Sequence, residues 1–162
     1  MIRTYFAFGS NLDRQQMRQR CPDARLLGPA MLPKHRLIFC GYSQRWRGAV
    51  ANVTRDETYN VPGVLYQLTD ADLTNLDTHE GHPKFYRRQL RLVTLPKGQR
   101  RRVQVYIRPP SDGEGGTPGW KYLWTIWNAY AHYDFDLRAL RLAAWGPDDE
   151  DDHDTTTRRN LA

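Results

Sequence analysis

An apolar run, Tyr5-Phe6-Ala7-Phe8, stops at Gly9-Ser10-Asn11, and the segment after it, 13–20, is polar and helix-favouring. A strand that turns tightly into a helix start is a strong constraint on the fold. Such a turn directs successive backbone N–H groups, which have no partner inside the helix, toward one spot. That spot suits a carboxylate or a developing oxyanion, and the helix dipole adds positive potential there. Gly9 permits positive φ and close approach of a ligand to the backbone. Ser10 and Asn11 can stabilise the turn through their own side chains. An edge strand followed by a capped helix gives the same pattern with no ligand, and on physical grounds alone it is the commoner outcome.

The chain of 162 residues fits one domain large enough to bury a core without disulfides or metals. Its 40% apolar and 12% aromatic content is that of a folded protein. No run approaches the roughly 20 apolar residues of a membrane helix. No export signal is evident, so a cytoplasmic protein is expected, with Cys21 and Cys40 reduced and without metal-like spacing. The net charge of +6 is unevenly spread: residues 147–162 hold six acids, whereas residues 1–146 hold 22 basic and 12 acidic residues. The expected organisation is one domain over 1–146 and an acidic, disordered tail over 147–162. A basic body attracts anionic small molecules or nucleic acid, though a solvated arginine-rich face explains it as well.

Strands are expected over 2–8, 26–32, 35–41, 49–53, 61–68, 85–95 and 101–108, with a break at Pro33 and a turn over 56–60. Thr69-Asp70-Ala71-Asp72 reads as a capping box opening a helix that buries Leu73 and Leu76 and stops at Gly81 and Pro83. Lys97-Gly98 begins a hairpin turn. Residues 109–119, rich in Pro, Gly and acids, read as a mobile loop or lid. Helices follow over 121–133 and over 136–144, the second capped by Asp136. Trp120, Trp124, Trp127 and Tyr130 recur at helical spacing, which normally marks a core face.

Tyr5-Phe6-Ala7-Phe8-Gly9-Ser10-Asn11-Leu12 resembles the Y-F-A-Y-G-S-N-L signature of the gamma-glutamylcyclotransferase family. Trp46-Arg47-Gly48-Ala49-Val50-Ala51-Asn52-Val53 and Pro62-Gly63-Val64-Leu65-Tyr66-Gln67-Leu68 agree with it too. Leu76-Asp77-Thr78-His79-Glu80-Gly81, with Tyr86 after it, is similar to the family's L-D-x-x-E-G…Y block. The likeness runs with gaps from Tyr5 to Trp120. Six or seven short strands with few helices suggest an α+β fold with a strongly curved mixed sheet, and the resemblance implies that it forms a small mixed β-barrel flanked by helices. Phe8 departs from the family tyrosine, removing one hydroxyl.

Glu80 is the catalytic candidate. It ends a helix, where the negative dipole end disfavours a carboxylate and raises its pKa toward the range useful for proton transfer. The usual fate of such a residue is solvent exposure; the resemblance sets it instead on the family's catalytic glutamate. The activity implied is conversion of a γ-glutamyl amide to 5-oxoproline and a free amine, without metal or cofactor. Residues 5–12, Tyr86, Tyr106 and Trp120 are the implied substrate contacts, Tyr106 and Trp120 by rough alignment with family aromatics.

Other chemistries have weaker support. Ser10 lacks a nucleophile-elbow setting. His79 and His82 do not form the helical H-E-x-x-H of a zinc site. Arg100-Arg101-Arg102 resembles a nucleic-acid patch, but three arginines at a turn are usually just exposed. A non-catalytic basic barrel that binds nucleic acid is the alternative, and it would bind with a steep salt dependence.

Overall fold

The computed structural model describes residues 1–147. The strands are β1 (Arg3–Ala7), β2 (Arg25–Ser43), β3 (Gly48–Leu68), β4 (Arg87–Thr94) and β5 (Arg100–Ile107). They close a barrel in the spatial order β1-β3-β2-β4-β5, antiparallel except where β5 returns to β1 in parallel, Tyr5 opposite Gln104. Helices α1 (Arg14–Arg20), α2 (Asp70–Glu80), α3 (Trp120–His132) and α4 (Arg138–Trp145) flank it. The acidic tail expected from residue 147 lies, from 148 onward, outside the described residues.

Five strands stand where six or seven were expected, because two expected breaks do not end their strands. At Pro33, which has no N–H to give, β2 continues past a register shift. Lys34 adopts φ 58°, and its N–H donates to Asn60 Oδ1 at 3.2 Å. On the partner strand the expected turn is a large bulge: Pro33 pairs with Asn60 and His35 with Arg55, so 56–59 are looped out and β3 resumes. The turn chemistry there is real, since Thr58 N–H donates to Asp56 Oδ1 at 2.9 Å. The chain reverses instead over 44–47, with Arg47 at φ 53°.

Phe6, Phe39, Leu65, Val64, Val93 and Val105 are fully buried in the barrel, and Met17, Leu76, Ile126 and Leu140 join them from the four helices. A side chain at Gly63 would meet the Ala7 carbonyl and the Phe6 ring within 2.5 Å, so glycine lets β1 and β3 pack closely. The capping box of α2 is formed as expected: Thr69 Oγ1 accepts from Asp72 N–H at 3.1 Å, and Asp72 Oδ2 accepts from Thr69 N–H at 3.2 Å. The helix stops at Gly81, φ 64°, where Gly81 and His82 N–H groups bond back to the Thr78 and Asp77 carbonyls at 3.2 and 2.9 Å.

Residues 109–119 do not form a free lid. Pro110–Asp112 makes a 3-10 turn, Gly116 N–H donates to the Phe39 carbonyl at 3.0 Å, and Ala49 N–H donates to the Thr117 carbonyl at 2.9 Å. These bonds fasten the segment along the β2–β3 ribbon. In α3 the buried side chains are Tyr122, Ile126, Ala129 and Tyr130, whereas Trp120 and Trp124 face solvent, so the tryptophan spacing does not mark the core face. Asp136 sits two residues before α4 and accepts from Arg138 N–H at 2.9 Å. No helix among the described residues is long and apolar enough to cross a membrane.

Candidate active site

The strand β1 ends at Ala7, and a 3-10 turn over Ser10–Leu12 leads through Asp13 into α1. Asp13 caps α1 by accepting from Gln16 N–H at 2.7 Å. The first N–H groups of a helical turn have no partner within it. Gly9, Ser10 and Asn11 line a small cavity together with Tyr5, Phe8, Ala51, Glu80, Tyr86, Tyr106 and Tyr122. The two sequence blocks, 5–12 and 76–86, therefore meet in one place.

Asn11 makes the junction. Its Nδ2 donates to Tyr5 Oη at 2.9 Å and to Glu80 Oε1 at 2.7 Å, while its Oδ1 accepts from Gln16 Nε2 at 3.0 Å and Arg20 Nη1 at 2.9 Å. Both amide protons and both lone pairs are used, which fixes the orientation of the amide. Gln16 Nε2 also donates to Ser10 Oγ at 2.8 Å, tying α1 back to the turn. Glu80 is the last residue of α2, its side chain 13% exposed, and Arg20 Nη1 approaches its Oε1 at 3.5 Å.

Burial pushes the Glu80 carboxyl above its usual range; the Arg20 charge, the Asn11 hydrogen bond and the Arg108 charge pull against that shift. The helix end and apolar neighbours in a pocket were both expected to raise it; desolvation inside the cavity is the main cause. Burial also raises Tyr5 and Tyr86 well above ordinary tyrosine values, with the Glu80 charge adding to the effect at both. Their hydroxyls stay protonated and serve as hydrogen-bonding groups.

Three residues before Glu80 on the same helix face, Asp77 Oδ1 accepts from Tyr106 Oη at 2.6 Å and pairs with Arg88 Nε at 2.8 Å. This anchor holds the end of α2 against β4 and β5. On the opposite wall, Tyr86 Oη donates to the Ala51 carbonyl at 2.7 Å, and Tyr122 Oη accepts from Ala51 N–H at 3.0 Å.

Of the residues expected to contact substrate, Tyr5, Phe8, Gly9, Ser10, Asn11, Tyr86 and Tyr106 line the cavity with Glu80. Phe6, Ala7 and Leu12 are buried in the core behind it. Trp120 is 78% exposed and lines neither the cavity nor the groove beside it; Tyr122, one α3 position pair further on, lines both. Gln16, Arg20, Asp77 and Tyr122 were not anticipated. For Gln16 and Arg20 the available signal was their i, i+4 spacing on the helix that follows the Gly-Ser-Asn turn.

The family model for gamma-glutamyl cyclotransferase, AIG2-like proteins matches residues 5–125. The chain belongs to this family. Gamma-glutamylcyclotransferase of Homo sapiens is 33% identical over 81 residues, covering 48% of this chain and 43% of the relative. The Mus musculus protein of the same name is 32% identical over 81 residues with the same coverage. The match thus spans less than half the length of these curated relatives. A solved structure described as a gamma-glutamyl cyclotransferase superposes with a TM-score of 0.81 at 25% identity, covering 92% of this chain and 90% of that one. The family match includes the whole Asn11–Glu80 junction and ends within α3, so α4 lies beyond it.

Proposed function

We propose that residues 1–146 act as a single-domain cyclotransferase that converts a small γ-glutamyl amide to 5-oxoproline and a free amine. The observation that carries this reading is Glu80, a largely buried carboxylate of raised pKa, held by Asn11 beside the Gly9-Ser10-Asn11 turn. The substrate's α-amino nitrogen attacks its own γ-carbonyl carbon, forming the ring C–N bond. Collapse of the tetrahedral oxyanion breaks the bond to the leaving nitrogen. The α-nitrogen passes from ammonium to a ring N–H and gives up two protons; Glu80 takes them in turn and delivers them to the leaving nitrogen, which departs as the ammonium, so protons balance and no water is consumed. The nucleophile is already tethered to the carbonyl, so holding the glutamyl chain folded supplies proximity. N–H groups of the turn stabilise the oxyanion. Family membership and the curated relatives' names support the reaction class; the free cysteines, Cys21 and Cys40, suit a reducing cytoplasm.

The test is release of 5-oxoproline from a panel of γ-glutamyl amides by wild type and Glu80→Gln. The variant is expected to lose roughly 10²-fold or more in kcat, the scale of general acid–base catalysis, with an unchanged circular dichroism spectrum. Wild-type turnover by Glu80→Gln would remove Glu80 from this role.

A further inference from the structure

Beside the Glu80 cavity lies a groove of about 550 Å³ that shares Ser10, Glu80, Tyr86 and Tyr122 with it. Its size suits an organic ligand. The cyclisation chemistry makes no use of its outer walls. If the proposed function holds, the inner cavity takes the γ-glutamyl half and the groove takes the departing half.

The groove walls carry two kinds of group. Arg20, Arg45 and Arg108 line it, and Glu80 is the one acidic residue among its lining side chains. Arg20 is committed to Asn11 and Glu80. The Arg108 guanidinium lies 5.1 Å from the Tyr86 ring centre and 5.9 Å from that of Phe85. Its ion pair with Asp112 is closest at Nε, 2.6 Å, and the hydrogen bond between them runs through that nitrogen. Arg45 sits 5.2 Å over the Trp46 ring and has no ion pair among the described residues. His79, which also lines the groove, has its pKa depressed by burial and by the charges of Arg20 and Arg45.

Trp46, Tyr42 and Phe85 form the second kind of wall. Trp46 is held against Tyr122 with ring centres 4.9 Å apart, whereas Tyr42 and Phe85 are 67% and 51% exposed. Flat apolar faces next to an arginine fork match a ligand that is both aromatic and anionic.

We propose that this groove selects a leaving group bearing a carboxylate and an aromatic side chain, making a γ-glutamyl aromatic amino acid the preferred substrate. In such a substrate the carboxylate is one carbon from the scissile nitrogen. Arg108 lines the same groove as Glu80, against the Tyr86 ring that the groove shares with the inner cavity. The side chain then runs along the rings. A γ-glutamyl amine would leave the arginines without a counter-charge, and a cationic leaving group would meet repulsion.

The experiment compares kcat/KM for 5-oxoproline release from γ-glutamyl-phenylalanine, γ-glutamyl-alanine and γ-glutamyl-phenethylamine with wild-type protein. The phenylalanine substrate is expected to exceed each of the others about tenfold or more, the scale of one charge-assisted hydrogen bond or one buried ring. Arg45→Gln is expected to narrow the phenylalanine-to-phenethylamine ratio, mainly through KM. Equal rates for phenylalanine and phenethylamine would overturn the anionic half of the proposal, and equal rates for phenylalanine and alanine the aromatic half. No 5-oxoproline from any substrate would overturn the cyclotransferase reading, and calorimetric binding would then test the groove by itself. Tighter binding of γ-glutamyl-phenylalanine than of γ-glutamyl-phenethylamine would support it; equal binding, or none, would overturn it.

Discussion

Asn11 and Glu80 are 69 positions apart in the chain, yet the Asn11 amide donates to the Glu80 carboxylate at 2.7 Å. One side-chain hydrogen bond thus joins the end of the β1 turn to the end of α2. Because Gln16 and Arg20 occupy the other face of the same amide, α1 controls which edge Glu80 meets.

Arg20→Gln is expected to shift the acid limb of the kcat/KM profile to higher pH. In the proposed reaction Glu80 must be ionised to accept a proton, and the Arg20 charge is the largest influence holding its pKa down against burial. A pH profile of 5-oxoproline release checks this; a limb that stays in place would disconnect the two residues.

Glu80→Gln is expected to change the pH dependence of stability in a defined direction. The folded protein holds the Glu80 proton more tightly than the unfolded chain does. Its contribution to stability is therefore complete below the ordinary value of about 4.3 and is lost as pH rises through the raised folded value. The glutamine variant escapes that loss, so its urea midpoint should gain on wild type as pH rises across this window. A difference that shrinks with rising pH would contradict the burial of Glu80.

Gln16→Leu is expected to destabilise the fold by about 1–3 kcal/mol, because it leaves Ser10 Oγ and one lone pair of Asn11 Oδ1 without their donor. Urea unfolding measures the stability. The freed amide should also lower kcat more than it raises KM, since its bond to Glu80 is no longer enforced.

Gly63→Ala and Gly98→Ala separate crowding from backbone strain. A methyl at Gly63 has ordinary backbone geometry but meets Ala7 and Phe6, whereas one at Gly98 meets nothing and suffers only from φ 86°. Overpacking predicts a loss of about 1–3 kcal/mol at Gly63, and the left-handed backbone about 1 kcal/mol at Gly98. Thermal melts in which the Gly98 variant lost more would reverse this ranking.

The parts of this structure written in local chemistry were legible in the sequence. Thr69 and Asp72 start α2 and Gly81 stops it, because caps are set by neighbours in the chain. Glu80 was found through its motif and its place at a helix end. Continuity of the long strands was not legible, because Pro33 and the turn-forming Asp56 look the same whether a strand ends or bulges; pairing with the partner strand decides. The position of Trp120 relative to the cavity was not legible either. Its assignment rests on rough alignment with a family aromatic, and only docking of the helix shows that Trp120 is exposed and Tyr122 buried. Gln16 and Arg20 lie in a segment that reads only as polar and helix-favouring; bonds to Ser10, Asn11 and, for Arg20, Glu80 hold them inside.

The reversal at residues 44–47 carries Arg45 and Trp46 to the groove, while further along the same ribbon Ala51 is hydrogen-bonded to Tyr86 and Tyr122 beside Glu80. Trp46 is tied to the inner end through Tyr122, whose hydroxyl bonds Ala51, but Arg45 touches only the Trp46 ring among these contacts. A lineage with this fold could therefore change its clientele at that one position of the reversal while Trp46 keeps the chemistry in place.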